Sequence, residues 1–297
     1  MEKHVIITEV CPRDGWQNHP QVIPTETKLK YIRRMIDYGA KAIDATSFVN
    51  PKVMPQMADA DAVIGGIREY ADEKGADIYA LTLNAKGVAR AAALGVKNVE
   101  FVLSASEEHN RRNSNRPIAD SLADMLRLRE SAGDMRISLG LACVFGSPFG
   151  DEIDLDQVVE ICRQAAAVGI RDIGLADTAG ISDPLHTRAV LRYLKDRMSF
   201  EHVSVHLHDT RGMGLANAFV ALEEGIFRFE SALAGMGGCP FARGAKGNIA
   251  SEDLVNMCHQ MGYETGYDLP LMLSTAKEMC AEIGAPLSSS MALHCSE

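Results

Sequence analysis

The sequence lacks an excess of positive charge and lacks any long apolar run. Its 297 residues include 30 Lys and Arg against 40 Asp and Glu, a formal net charge of −10. This balance argues against a nucleic-acid or anionic-membrane partner, because such polyanions bind positively charged surfaces. One small anion remains compatible, since a local basic patch can bind it. No apolar run is long enough to span a membrane, and no basic-then-apolar leader precedes the first predicted strand.

A paired-cysteine motif is also missing. The chain has seven cysteines, an odd number, and no C-x-x-C pair. This usage excludes the disulfide framework of small secreted domains and indicates free thiols in a reducing compartment. We therefore expect a cytoplasmic protein.

A recurring unit does occur, in which a helical pattern, a glycine and a short apolar strand follow one another. Four copies have their glycine at Gly39, Gly95, Gly169 and Gly225. Glycine ends a helix in the left-handed conformation, and the chain can then turn directly into a buried strand. Further strand candidates lie between these units. Together they predict eight strands, near residues 5–10, 41–46, 77–83, 98–103, 135–143, 171–176, 202–207 and 228–233.

Helical patterns separate these strands, and a surplus helix is predicted at about 270–283. Alternation of eight strands with helices favours an α/β fold, a single (β/α)8 TIM barrel over residues 1–297, over an open doubly wound sheet. No G-x-G-x-x-G motif follows the first strand, which weakens a dinucleotide-binding alternative. In a barrel of this kind, polar residues at the carboxyl ends of the strands converge on one mouth.

Two histidines, His206 and His208, close the seventh predicted strand. Residues two apart on a strand point to the same side, so the pair can bind one divalent cation. The oxygen donors Asp14 and Asn248 could complete the ligand set, which suits Mg²⁺, Mn²⁺ or another divalent first-row ion better than a structural zinc. Polar lining of the barrel is the alternative interpretation, because H-x-H is common by chance.

Three other segments are candidates for chemistry. Arg13, beside Asp14, could stabilise an oxyanion, although salt-bridged turns of this kind are frequent. The glycine-rich segment 234–248 predicts a mobile catalytic loop, which favours an acid, base or nucleophile role for Cys239 over a core thiol. Residues 107–116, predicted as a loop, carry three arginines and form either a solvated surface or a phosphate clamp.

Taken together, these motifs resemble the 3-hydroxy-3-methylglutaryl-CoA lyase family, within the metal-dependent TIM-barrel lyase and Claisen-condensing superfamily. The similarity covers nearly the whole chain. Its specific elements are residues 9–18, 46–52 with 55–57, 175–180, 206–210, and 231–241 running to 247–248. The Gly-Gly-Cys-Pro stretch at 237–240 distinguishes the lyases from the related synthases, which lack that loop.

The resemblance implies a role for particular residues. Four match the family's metal ligands, and they are Asp14, His206, His208 and Asn248. Arg13 matches the arginine that stabilises the enolate, and Cys239 matches a loop cysteine that transfers a proton. Asp44, Asp177 and Glu252 match acidic positions near the site. The base that removes the hydroxyl proton is left open among His206, Asp44 and Asp177. The residues expected to contact substrate or CoA are Gln17, Trp16, Arg111, Arg112, Arg211 and Glu252.

The implied reaction is retro-Claisen cleavage of 3-hydroxy-3-methylglutaryl-CoA, or a close 3-hydroxyacyl-CoA, to acetyl-CoA and acetoacetate or the matching keto acid. It would serve leucine degradation or ketone body metabolism, in an enzyme expected to be a homodimer. Three departures point to a different acyl group: Trp16 replaces a leucine, Arg211 an aromatic residue and Pro20 a basic residue of some relatives. Asp44 replaces a glutamate, which keeps the charge and leaves its role open. The alternatives are a lyase for another acyl-CoA such as citramalyl-CoA, a Claisen-type synthase, and a non-enzymatic barrel that binds CoA or metal.

Overall fold

Eight parallel strands, paired in chain order, close into a barrel in the computed structural model, which describes residues 4–238 and 247–294. The strands are β1 (Ile6–Glu9), β2 (Ala42–Ser47), β3 (Asp77–Thr82), β4 (Asn98–Ser104), β5 (Arg136–Ala142), β6 (Ile173–Asp177), β7 (Val203–Leu207) and β8 (Arg228–Ser231). Pairing of β1 with β8 closes the barrel. The predicted (β/α)8 fold is confirmed, and each predicted strand overlaps an observed one.

Helices connect the strands and extend beyond β8. They are α1 (Thr25–Asp37), α2 (Ala60–Lys74), α3 (Ala85–Ala93), α4 (Glu107–Ser114), α5 (Ile118–Ser131), α6 (Leu155–Ala167), α7 (Pro184–Lys195), α8 (Gly214–Glu223), α9 (Ser251–Gln260), α10 (Leu269–Ile283) and α11 (Ser290–His294). The surplus helix predicted at 270–283 is α10. Within the described ranges, no helix is both long and apolar enough to cross a membrane.

Helix α4 corrects the loop predicted at 107–116. Ser106 caps its first turn by accepting a hydrogen bond from the His109 amide at 3.0 Å. Glu107 and Glu108 then pair with the arginines four residues later, at 2.9 and 2.7 Å. Caps and i, i+4 ion pairs favour a helix even in a segment with few apolar residues.

The strands bury one face against the helices and turn the other towards the barrel axis. Along β4, the alternate residues Val99, Phe101 and Leu103 belong to the hydrophobic core, whereas Glu100 and Val102 line an internal cavity. This is the two-residue period of a strand. The consequence is that the barrel interior carries polar and charged groups that are available for chemistry.

Candidate active site

The main cavity has a volume of about 590 Å³ and lies at the end of the barrel where the strands terminate. Its charged and polar lining includes Arg13, Asp14, Gln17, Asn18, Glu100, His206, His208 and Glu230. Apolar side chains such as Val49, Met54 and Leu83 form part of its wall. The predicted convergence of polar strand-end residues on one mouth is therefore present.

A tight turn after β1 places the first two site residues. Residues Cys11–Gly15 form a single wide helical turn, and all five are buried. The Asp14 amide donates a 2.7 Å hydrogen bond to the Val10 carbonyl, which fixes the turn against the strand end. Pro12 suits this position, because proline lacks an amide donor and the first amides of a helical turn have no partner within it.

The Arg13 guanidinium faces three carboxyl groups. Its Nε lies 2.5 Å from Asp44 Oδ2, its Nη1 2.7 Å from Asp14 Oδ1, and its Nη2 3.5 Å from Glu100 Oε2. Burial acts to lower the pKa of Arg13, but Asp44, Asp14 and Glu100 outweigh it and raise that pKa. The side chain is therefore a permanent buried cation, with Nη2 the least tightly engaged of its nitrogens.

Asp14, His206 and His208 form a cluster suited to a metal ion. One ligand atom from each lies within 4.8 Å of the others. The two His Nε2 atoms are 3.0 Å apart, and His208 Nε2 is 3.8 Å from Asp14 Oδ2. Two imidazole nitrogens this close must share a proton or a cation, because their lone pairs would otherwise repel.

Asn248, the fourth predicted ligand, joins this cluster. Its Nδ2 donates to Asp14 Oδ2 at 2.7 Å and to the Met236 carbonyl at 3.0 Å. Its Oδ1 is buried, and no group among residues 4–238 and 247–294 donates a hydrogen bond to it. A buried oxygen without a donor beside a carboxylate and two imidazoles is a good fit for a divalent cation.

Backbone pairing brings Asn248 to this position. Asn248 pairs with His208 in an isolated antiparallel bridge, and the Ile249 amide donates to the Leu207 carbonyl at 3.0 Å. Gly247 and Gly237 allow this approach. A Cβ on Gly247 would lie 2.6 Å from the Gly235 carbonyl oxygen, and one on Gly237 would lie 2.5 Å from Asn248 Nδ2.

Two glutamates that the sequence analysis did not select belong to the site. Glu230 on β8 accepts from Ser204 Oγ at 2.9 Å and lies 3.0 Å from His206 Nδ1, so it orients that imidazole. Glu100 on β4 lies beside Arg13. A signal was present: Asp44, Glu100 and Glu230 each stand five residues after the glycine of a repeated unit.

The three carboxyl groups in this layer differ in their pKa. Burial raises the pKa of Asp44 to about 6 despite the nearby Arg13. Burial and then the neighbouring Glu230 raise the pKa of Glu100 to about 8. Burial opposes ionisation of Glu230 too, but its hydrogen bond with His206 leaves the pKa lowered. At neutral pH, Glu230 is therefore an anion and Glu100 is mostly protonated.

Two acids expected near the chemistry serve the backbone. Asp177 accepts hydrogen bonds from the Ile181 and Ser182 amides at 3.1 and 3.0 Å, so it holds the turn that follows β6. Glu252 is fully buried and accepts from the Ala234 amide at 3.0 Å. Neither lines the cavity, and neither does Asp44. Glu252, which the sequence analysis expected to contact the substrate, therefore lies at the turn after β8 and outside the cavity lining.

Three further side chains expected to contact substrate also lie outside the cavity lining. Trp16 is buried in the hydrophobic core with 1% of its surface exposed. Arg211 is exposed and donates to the Ile181 carbonyl at 3.2 Å. Arg111 pairs with Glu107 on the surface of α4. Sequence position alone did not show the direction in which these side chains point.

Other expected contacts are at the cavity. Gln17 lines it and donates to Asp14 Oδ1 at 2.8 Å. Arg112 lines it near the C-terminal end of α4, and its guanidinium carbon lies 4.4 Å from the centre of the Phe149 ring. Arg116 also lines it and donates to the Leu83 carbonyl at 2.7 Å. Cys239 lies outside the described residues.

Comparison with known proteins identifies the family. The model of the HMGL-like family matches residues 4–279. The chain belongs to the HMGL-like family. An (R)-citramalyl-CoA lyase of Chloroflexus aurantiacus is 39% identical over 294 residues, which covers 95% of this chain and 92% of that protein. A hydroxymethylglutaryl-CoA lyase of Bacillus subtilis is 38% identical over 97% of this chain and 96% of that protein.

Solved structures give the same assignment. The Bacillus subtilis HMG-CoA lyase structure superposes with a TM-score of 0.94 at 38% identity, covering 98% of this chain and 97% of that chain. An HMG-CoA lyase from Acinetobacter baumannii, solved with coenzyme A and 3-methylmalate, gives 0.93 at 36% identity, covering 98% and 95%. This member of the HMGL-like family is an oxo-acid lyase.

Proposed function

We propose that this lyase cleaves 3-hydroxy-3-methylglutaryl-CoA, or a close 3-hydroxyacyl-CoA, to acetyl-CoA and the matching oxo acid. The observation that carries the proposal is the meeting of Arg13 with Asp14, His206, His208 and Asn248 at one cavity. Relatives named as lyases of acyl-CoA esters support it, since they match the chain over almost its full length.

Mg²⁺ or Mn²⁺ is the proposed cofactor, with Asp14, His206, His208 and Asn248 as its ligands. When bound there, such an ion lowers the pKa of a coordinated hydroxyl and so eases its deprotonation. Glu230 orients His206 from behind, because it lies 3.0 Å from the imidazole Nδ1. The two nitrogen and two oxygen donors match the preferences of these ions.

Arg13 is proposed to stabilise the enolate oxygen that forms when the carbon–carbon bond breaks. Its positive charge is permanent and buried, where an electrostatic interaction is stronger than in water. Among the described residues, Nη2 has one hydrogen bond, a 3.5 Å contact with Glu100, so it has capacity for a further acceptor. Cys239 is proposed to protonate the enolate carbon, as its match to the family cysteine implies.

Of the three candidates for the base, His206 lines the cavity whereas Asp44 and Asp177 do not, so we propose His206 for this role. An imidazole nitrogen has one lone pair, so His206 Nε2 serves either as ligand or as base. The binding of Mn²⁺ to His206→Ala decides between them. Loss of binding assigns His206 to the ion, and retained binding with lost turnover assigns it to the proton.

The principal test is an acyl-CoA panel with added Mg²⁺ or Mn²⁺, followed by release of acetyl-CoA. Arg13→Met should lower turnover roughly 10²–10³-fold, as loss of one oxyanion donor does. Chelation should remove activity and added metal should restore it. Turnover within a few-fold of wild type in Arg13→Met, or activity indifferent to chelation, would contradict the assignment.

Citramalyl-CoA is the second candidate substrate, because the relative named for it is 39% identical to this chain. The same panel separates the two, since citramalyl-CoA yields pyruvate and 3-hydroxy-3-methylglutaryl-CoA yields acetoacetate. We also propose a cytoplasmic homodimer. Cys11, Cys143, Cys162, Cys258 and Cys280 are buried without a disulfide among them, which suits a reducing compartment.

A further inference from the structure

Glu100 forms part of the cavity floor and is not accounted for by the chemistry above. It lines the main cavity and also a smaller cavity further along the barrel axis, so it separates the two. It lies on β4, whereas the metal cluster comes from the turn after β1 and from β7. The carboxyl group therefore approaches the reacting region from another side of the barrel.

The carboxyl group of Glu100 combines spare hydrogen-bonding capacity with a place in the lining of the main cavity. Both oxygens of Glu230 are engaged, by Ser204 and His206. Asp44 Oδ1 is buried without a hydrogen-bond partner among the described residues, but Asp44 does not line the main cavity. In the part of the chain that the structure describes, the hydrogen bonds of Glu100 comprise one long contact, 3.5 Å from Arg13 Nη2. A largely buried carboxyl group with one long hydrogen bond has capacity for a further partner, which a bound substrate can supply.

Small residues face this carboxyl group and make room for it. Gly140 on β5 faces it, and a Cβ there would lie 2.6 Å from Glu100 Oε1 and 3.1 Å from Val102 Cγ2. Ala142 on β5 and Ala176 on β6 also line the cavity, and both side chains are small. The cavity therefore reaches down to the Glu100 carboxyl instead of being closed by branched side chains, which dominate most barrel interiors.

We propose that Glu100 is a specificity-determining residue that donates a hydrogen bond to the carboxylate at the end of the substrate's C3 substituent. The inference rests on the proposed acyl-CoA lyase activity and assigns a residue to the recognition of the carboxylate that both proposed substrates carry. Arg13, 3.5 Å away, contributes positive charge to the same region.

The protonation state of Glu100 supports this role. Burial and Glu230 raise its pKa to about 8, so a neutral carboxyl group with an O–H donor predominates at pH 7. An ionised carboxyl group at this place would repel an anionic substrate arm. The neutral group instead offers a hydrogen bond to a charged acceptor, which is among the stronger kinds.

The test compares Glu100→Leu and Glu100→Gln on two substrates. 3-Hydroxy-3-methylglutaryl-CoA carries the carboxylate, and 3-hydroxy-3-methylbutyryl-CoA has a methyl group in place of the carboxymethyl arm. Glu100→Leu should lower kcat/KM for the first roughly 10–100-fold, mainly through KM, and change the second less than about threefold. Glu100→Gln keeps a neutral donor and should stay within about threefold on both.

Gly140→Ala provides an independent variant that leaves Glu100 in the chain. Its new Cβ would displace the carboxyl group, so it should reproduce part of the Glu100→Leu effect. Calorimetric binding of acetoacetate to the metal-loaded protein gives a readout without turnover, and should weaken in Glu100→Leu. Unchanged Mn²⁺ affinity in each variant shows that the neighbouring site is intact.

Several outcomes overturn the inference. An equal fall in kcat for both substrates would show that Glu100 acts through Arg13 as a positioning residue. Equal losses in Glu100→Gln and Glu100→Leu, or a wild-type preference for the substrate without a carboxylate, would also refute it. If wild type cleaves no acyl-CoA of the panel, the proposed function itself fails, whereas cleavage without a Glu100 effect defeats this inference alone.

Discussion

Replacing Glu252 with glutamine is expected to reduce the pH dependence of stability between about pH 5 and pH 8. Glu252 is fully buried beside the turn that follows β8, and burial raises its pKa from 4.5 to about 8. The folded protein therefore favours the neutral carboxyl group. Its contribution to stability is complete below pH 4.5 and is lost as the pH rises towards 8, because the unfolded chain ionises first.

The magnitude follows from these two pKa values. Between about pH 5 and pH 8, linkage predicts a loss of about 3 kcal/mol in the free energy of unfolding of wild type from this one group. At roughly 2 °C per kcal/mol for a chain of this size, Tm should fall by about 6 °C. The glutamine in Glu252→Gln cannot ionise, and its amide oxygen can still accept a hydrogen bond from the Ala234 amide. Between about pH 5 and pH 8 this variant should therefore lose less stability than wild type.

The assay is urea unfolding of wild type and Glu252→Gln at several pH values across this window. Glu73→Gln, which changes an exposed glutamate of α2, is the matched control and should follow wild type. Parallel curves for wild type and Glu252→Gln would refute the reasoning, since they would mean that the buried carboxyl group binds its proton equally in the folded and unfolded chains.

Two sets of glycine substitutions test backbone packing. Gly247→Ala places a Cβ 2.6 Å from two backbone atoms, of Gly235 and Gly237, so it should displace Asn248. Mn²⁺ binding, measured by titration, should weaken roughly 10-fold or more. Unchanged affinity would show that the backbone at 235–237 and the backbone at 247–248 can move apart freely. Within α2, Gly65→Ala meets no atom within 4 Å and should stabilise the protein by about 1 kcal/mol. The Cβ of Gly66→Ala would lie 2.6 Å from Leu29 Cδ1, so this variant should destabilise the protein by roughly 1–3 kcal/mol. Equal urea midpoints for the Gly65 and Gly66 variants would contradict the packing argument.

Much of the architecture could be predicted because it depends on local patterns. The glycine that closes a helix and the apolar strand that follows it recur along the chain, and every strand predicted from that pattern is present. The error at α4 has a local cause as well. That segment is nearly devoid of apolar residues, and its helix depends on the Ser106 cap and on glutamate–arginine pairs.

The candidate site was partly predictable for the same reason. His206 and His208 share a face by strand geometry, and Arg13 and Asp14 follow the first strand directly. The repeat position marked Glu100 and Glu230, but it also marked Asp44, which does not line the main cavity, and a carboxylate after a strand can equally hold its own turn. Asp177 does so, while Glu100 and Glu230 point inward from within their strands.

The sequence by itself determined the order of strands and helices, the strand-end position of the catalytic candidates and the family to which the chain belongs. Those features follow from residue periodicity and from motifs contiguous in the chain. Tertiary structure alone decided that Asn248 reaches Asp14 across 234 positions, that Glu100 lies beside Arg13, and that Gly140 makes room for the Glu100 carboxyl group. Barrel closure sets these distances, because it brings strands that are far apart in the sequence around one axis. Which side chains are buried, which charges are neighbours and where a cavity remains therefore depend on all eight strands together.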